Sequence, residues 1–126
     1  MYADRAQTMS VEIVEDTQVI VRVSGEVELP NVDKLRSAVE SAAMASPNGF
    51  VIDMNGVSYI DSAGISALVF AYRRVCPSGG RLALVITDKN VRRIVTLTRL
   101  HTLPGISLHD DINEALSALG TKLAGR

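Results

Sequence analysis

The sequence predicts an α/β domain on a mixed, mostly parallel sheet, opened by an antiparallel strand pair and packed with about four helices. Three observations lead there. Two short stretches in which apolar and polar residues alternate, Val11/Ile13 and Val19/Val21/Val23, precede any helical pattern, and alternation of this kind marks strands with one covered face. Further along, Phe50–Ile52 and Leu82–Ile86 are uninterrupted apolar runs of strand length, as expected of strands covered on both faces. Between and after them apolar residues recur at helical intervals, so strands and helices alternate as they do in parallel crossovers.

Residues 1–9 carry no period and read as a flexible arm, so that one domain spans residues 10–120 and residues 121–126 form a tail. The first two strands flank Glu15-Asp16-Thr17-Gln18, a tight hairpin connection. Ser24-Gly25-Glu26-Val27-Glu28-Leu29-Pro30 breaks the alternation and reads as a loop. Asn31 then precedes Val32, Leu35, Val39 and Ala42, a first helix stopped by Ser46-Pro47-Asn48-Gly49. The third strand is bounded by Gly49 and by Asn55-Gly56, with Asp53 as the polar residue that closes a turn at its end. Ile65, Leu68, Val69 and Tyr72 mark a second helix, ended by Pro77-Ser78-Gly79-Gly80, and Leu82–Ile86 supplies the fourth strand. Asp88 or Asn90 opens a third helix with Val91, Ile94 and Val95 facing inward, and Leu97 and Leu100 extend its contact surface towards Pro104-Gly105. Ile106-Ser107-Leu108 is the last strand. Asp110-Asp111 then starts a helix through Ile112, Ala115, Leu116 and Leu119, its acids suited to the positive end of the helix dipole, and Gly120 ends it.

At 126 residues the chain has the size of a single domain. Its 13 basic and 14 acidic residues are nearly balanced, and no basic block suggests a nucleic-acid surface. The single cysteine, Cys76, ends an apolar helical stripe and reads as a small core residue, in keeping with a reducing cytoplasm. The start of the chain lacks a signal-peptide layout, and no apolar run approaches the roughly 20 residues needed to cross a bilayer. A soluble protein is expected, with no membrane partner.

The stretch with most chemical interest is Asp61-Ser62-Ala63-Gly64, at the junction between the third strand and the second helix. Either Asp61 or Ser62 can cap that helix through a side-chain oxygen. A hydroxyl here is also a modification candidate, because a phosphate at a helix start meets N–H donors and the positive end of the dipole. The turn is not the G-x-S-x-G elbow of a hydrolase, and neither His101 nor His109 has a context that assigns it to a triad. No Cys/His cluster has zinc spacing, so no metal site is expected. A phosphoaspartate receiver is suggested by Asp53 with Glu15-Asp16, but two strands before the first helix argue against it. Ser78-Gly79-Gly80-Arg81 lacks the phosphate-loop pattern and reads as a turn.

Gly25-Glu26-Val27-Glu28, Val51-Ile52-Asp53 leading to Tyr59-Ile60-Asp61-Ser62-Ala63-Gly64, and Val91-Arg92-Arg93-Ile94 with Leu97-Thr98-Arg99-Leu100 occur in that order. In this respect the chain resembles the anti-sigma-factor antagonists, the bacterial single-domain members of the STAS family, over most of its length. The resemblance implies that Ser62, directly after the aspartate of a D-S-x-G turn, is phosphorylated. It further implies partner switching. The unmodified protein binds an anti-sigma factor that is also a serine kinase, which releases a sigma factor; phosphorylation ends the association and a metal-dependent serine phosphatase restores it. ATP and magnesium then belong to the kinase, so this chain needs no cofactor and is not expected to be an enzyme. The implied docking face comprises Gly25, Glu26, Glu28, Asp61, Ser62, Ala63, Gly64 and Ser66, on a monomer or weak dimer.

Three positions depart from the family pattern. Ala63 replaces a frequent second hydroxyl residue, Ser66 stands where glycine is common, and Glu28 replaces an aspartate. Ala63 removes an alternative phosphate acceptor, while Ser66 and Glu28 alter the bulk and reach of the docking face. Two other functions compete with the switch: a non-switching STAS scaffold or ligand-sensing module, separated from it by whether a kinase labels Ser62, and a small hydrolase, which would need turnover dependent on Ser62 and a histidine.

Overall fold

A computed structural model of the chain describes residues 9–15 and 18–124. Among them the chain runs β1 (Ser10–Glu15), β2 (Val19–Val27), α1 (Val32–Ala45), β3 (Gly49–Ile60), α2 (Ser62–Val75), β4 (Arg81–Val85), α3 (Lys89–Leu97), β5 (Ile106–His109) and α4 (Ile112–Ala124). The sheet order is β1-β2-β3-β4-β5, with β1 antiparallel to β2 and every other neighbour parallel. The expected α/β architecture is therefore the one observed.

Each strand is laid beside the one before it, so right-handed crossovers carry α1, α2 and α3 to the same face. Leu35 and Val39 of α1, Ala67 and Leu68 of α2, and Val91 and Val95 of α3 meet Val21, Val23, Ile52, Leu82 and Leu84 in one core. The alternate strand residues, Ile20, Val51, Ala83 and Val85, point the other way and are covered by Ala115 and Leu119 of α4. The uninterrupted apolar runs follow from this double cover. A guanidinium–carboxylate fork ties α1 to α2 from outside: Arg74 Nε and Nη2 donate to the two oxygens of Glu40 at 2.8 and 2.7 Å.

The third strand is longer than the sequence suggests. Asn55-Gly56 is no turn but lies inside β3, which pairs with β4 only as far as Asp53–Val85 and then continues beside β2 alone to Ile60. Two register shifts accompany this extension. Met54 and Asn55 together oppose Val23, and Ser58 is extra between the Gly25–Val57 and Glu26–Tyr59 pairs. Such bulges bend and twist a strand locally, and polar residues with a glycine suit them as well as they suit a turn. Asp53 therefore sits within the strand, 7% exposed, where its carboxylate accepts the Asn55 N–H at 3.0 Å and Arg22 Nε at 3.4 Å. For the same reason Gly25 and Glu26 belong to β2 rather than to a loop, Gly25 at a φ of +93°.

Three further expectations change, and one open alternative is decided. Met9 is 1% exposed and part of the core, so the arm does not reach it; residues 1–8 lie outside the described residues, as do Asp16 and Thr17 of the hairpin connection. Leu97 ends α3 with 74% of its surface exposed, and it is Leu100, in the short 3-10 turn Leu100–Thr102, that continues the buried surface. The last helix passes through Gly120 to Ala124. A glycine inside a helix costs only about 1 kcal/mol, which the anchoring of Leu119 can offset. The candidate caps resolve to Asp88 for α3, through Asn90 N and Val91 N.

The fork gives the fold an acid-sensitive contact. Hydrogen bonds from Arg74 hold the Glu40 carboxyl below its ordinary value. A carboxyl depressed in the fold stabilises it fully above the unfolded carboxylate range, about 4.3, and loses that effect as the pH falls through the lowered folded value. Glu40→Gln should therefore melt below the parent at neutral pH, by a small amount because the pair is solvent-exposed, and the two should converge in acid. Thermal melts across the acid range check this, and a gap independent of pH would refute it.

Candidate functional site

Asp61 follows the extended end of β3, and its backbone N–H donates to Val27 O at 3.2 Å, the last rung between β3 and β2. Its carboxylate serves two elements. Oδ1 accepts the N–H groups of Ala63 at 2.9 Å and Gly64 at 3.1 Å, which makes Asp61 the N-cap of α2, and Oδ2 accepts Leu29 N–H at 3.1 Å from the connection between β2 and α1. Of the two capping candidates the structure selects Asp61. Ser62 is the first residue of the helix, exposed, and its hydroxyl makes no hydrogen bond among the described residues.

The cap changes what the first turn can offer. Ile65 N–H donates to Asp61 O at 3.0 Å, so three of the first four N–H groups of α2 are already engaged. The expectation that a phosphate on Ser62 meets a set of open N–H donors does not hold in this geometry, because the carboxylate and main-chain carbonyl of Asp61 occupy three of them.

Gly64 is buried against the strand ends. A Cβ there would lie 2.5 Å from Ile60 Cγ1 and 3.0 Å from Val27 Cγ1, so the glycine of the D-S-x-G turn lets α2 approach β2 and β3 closely. Ala63 is half-buried, whereas Ser66 is exposed one turn beyond Ser62. Glu28 lies in the connection next to Leu29. The structure thus brings Glu28 together with Asp61, Ser62, Ala63, Gly64 and Ser66 at one end of the sheet, and it places Gly25 and Glu26 in the strand that leads there.

Four contributors escaped sequence reasoning. Asn31 stands at the start of α1 but caps no helix N–H. It is 4% exposed, accepts Glu28 N–H at 3.0 Å and donates to Glu26 O at 2.8 Å, and so fixes the shape of the connection. Leu29 is 71% exposed beside the helix start, and an apolar residue between Glu28 and Pro30 was the available signal. Asp33 and Arg36 of α1 join Leu29, Val32, Asp61, Ser62, Ala63 and Ser66 around an open groove of about 530 Å³ between α1 and α2. The Arg36 guanidinium lies over the Phe70 ring, 4.4 Å from its centroid. Helical periodicity places Arg36 on α1 and Phe70 on α2 but does not say that they meet.

Other candidates fall elsewhere. His109 Nε2 is 2.7 Å from Ser107 Oγ and its Nδ1 is 4.0 Å from Glu114, contacts within β5 and α4, and His101 has a buried Nδ1 without a partner among the described residues. No group of three metal-ligating side chains occurs among the described residues. Cys76 is half-buried at the end of α2, packed against the core, and burial pushes its thiol pKa up, as befits a packing residue. No described helix is long and apolar enough to cross a membrane.

The sequence profile of the STAS domain matches residues 8–115. The chain belongs to the STAS domain family. An anti-sigma F factor antagonist of Paenibacillus polymyxa is 24% identical over 101 residues, which cover 79% of this chain and 85% of that protein. The crystal structure of an anti-sigma factor antagonist from Mycobacterium paratuberculosis superimposes with a TM-score of 0.79 at 25% identity, covering 89% of this chain and 94% of that one. The phosphorylated form of the Bacillus cell fate determinant SpoIIAA, at 19% identity, shares the fold with a TM-score of 0.63, covering 87% of this chain and 97% of that one. This STAS domain is thus similar to proteins named as anti-sigma factor antagonists.

The cap and the close approach of Gly64 can be tested by stability. Asp61→Ala removes the acceptor for three N–H groups and should cost about 2 kcal/mol. Asp61→Asn retains one acceptor oxygen and should fall between parent and alanine variant. Gly64→Ala must displace Ile60 and Val27 and should cost about 1–3 kcal/mol. Urea unfolding measures all three, and an Asp61→Ala variant as stable as the parent would contradict the assigned cap.

Proposed function

We propose that this STAS domain is an anti-sigma-factor antagonist. Its docking face is the start of α2 with the Glu28–Pro30 connection, and its binding to an anti-sigma factor that is also a serine kinase ends when Ser62 is phosphorylated. The observation that carries this reading is the division of labour between neighbours: Asp61 does the capping, so the exposed Ser62 hydroxyl has no structural duty. Modification there costs the fold no cap. Leu29 supplies an exposed apolar contact beside it, and apolar anchors with charged neighbours suit a protein interface. A serine phosphatase would reset the switch.

In the transfer step the Ser62 oxygen bonds to the γ-phosphorus of ATP, the bond to the bridging oxygen of the departing ADP breaks, and the hydroxyl proton goes to a base on the kinase. The product brings a charge of about −1.5 to −2 into a contact shaped for a neutral hydroxyl. A desolvation penalty of roughly 3 kcal/mol weakens association by about two orders of magnitude.

The reading predicts that a cognate kinase labels Ser62 alone, leaving Ser58 and Ser66 unmodified, and that Ser62→Ala abolishes labelling while still binding. Ser62→Asp should lose most of its affinity and melt within a few degrees of the parent. Label mapped by mass spectrometry to Ser66, or surviving in Ser62→Ala, would reject the assignment, and absence of label with any kinase partner would favour the non-switching scaffold. Glu28→Lys should weaken kinase binding by about 2 kcal/mol if its contact is partly desolvated; unchanged affinity by titration calorimetry would remove Glu28 from the face.

A further inference from the structure

A phosphate on Ser62 needs a counter-charge, and the helix start does not supply it. Helix N-termini hold phosphates through unengaged N–H groups, yet here Ala63 and Gly64 donate to the Asp61 carboxylate and Ile65 donates to the Asp61 carbonyl. Asp61 is also a fixed negative charge next to the modified residue, and Asp33 is a second one on the wall of the same groove. A dianion placed among them would be under net repulsion unless a cation of this chain reaches it.

Arg36 meets that need. It lines the groove that contains Ser62 and Ser66, and also the neighbouring one formed with Ser66, Val69, Phe70 and Arg73. Its guanidinium is stacked on Phe70 at 4.4 Å, and it forms no ion pair among the described residues. Stacking occupies the face of the planar group and leaves its N–H edge available, and that edge matches the spacing of phosphate oxygens. Ordering on the ring also lowers the entropy lost when a second contact forms. Arg73, in the neighbouring groove only, is the more distant cation.

We propose that Arg36 is the internal counter-ion of the phosphorylated protein. The Arg36 guanidinium binds phosphoserine 62 across the groove between α1 and α2. This inference rests on Ser62 being the modified residue and adds a consequence: one modification withdraws both a hydroxyl and a cation from the docking face. A partner that reads the face therefore loses two contacts at once, while the domain keeps its own charges paired.

The test installs phosphoserine at position 62 during translation, so that it does not depend on any kinase. Titration of the phosphorus resonance by NMR reads the second phosphate ionisation, which lies near about 6 in an unperturbed phosphoserine. Pairing with Arg36 should lower it in the parent by at least about half a unit, and Arg36→Ala should return it to about 6 or above, since Asp61 and Asp33 then face the phosphate without that cation. Should the alanine variant fail to fold, the Arg36 Nε–H proton resonance of the parent, assigned with Arg36→Lys, carries the test: it should move on phosphorylation of Ser62 and not on placing phosphoserine at Ser41. An ionisation equal in parent and folded Arg36→Ala, or an unmoved Nε–H signal, overturns the proposal. A kinase that fails to label Ser62 would overturn the functional reading alone, since the installed phosphate reports the contact independently.

Discussion

The Asp61 carboxylate is the joint on which this end of the molecule depends. One oxygen starts α2 and the other holds Leu29 in the connection to α1, so a single side chain sets both the direction of the helix and the position of the neighbouring loop. Charge-assisted bonds of this kind are stronger than neutral ones and have narrow geometry. Because the carboxylate does this work alone, the next residue is released from it. An exposed, unengaged Ser62 is thus a consequence of how the helix is capped.

The bulged extension of β3 supplies the rest of the geometry. Had the strand ended with its β4 pairing at Asp53, the chain would have turned into α2 level with the sheet. Instead seven more residues run beside β2 to Ile60, which raises the helix start beyond the ends of β4 and β5 and delivers it to the β2–α1 connection. Gly64 then allows the close approach, and Asn31 shapes the connection from within. Local irregularities in two strands thus place the site, while the regular core beneath them provides a rigid support.

The parts that were legible in the sequence are those governed by periodicity. Double cover of the central strands left Leu82–Ile86 uninterrupted, and the apolar spacing of Val32, Leu35, Val39 and Ala42 recorded the buried face of α1. Segments governed by hydrogen bonding were less legible. Asn55-Gly56 has the composition of a turn, yet the parallel partner β2 captures it in a bulge; Gly25-Glu26 reads as a loop for the same reason. Asn31 has the identity of a cap but serves the residues before it. The candidate site was legible as a motif, because Asp61, Ser62 and Gly64 are adjacent in the chain. Arg36 and Phe70 were not, because their contact depends on how α1 and α2 face each other, which no local pattern encodes.

The unreversed strand order has its own consequence. In open α/β sheets, small ligands lodge in the crevice that opens where successive crossovers depart to opposite sides. Here β2, β3, β4 and β5 are added in one direction, so α1, α2 and α3 leave along a single flank and no such cleft is created between them. What the strand ends present is the open groove between α1 and α2, with Leu29 and Ser62 on its rim. A surface open in this way leaves the apolar Leu29 side chain and the Ser62 hydroxyl within reach of a body as large as another protein.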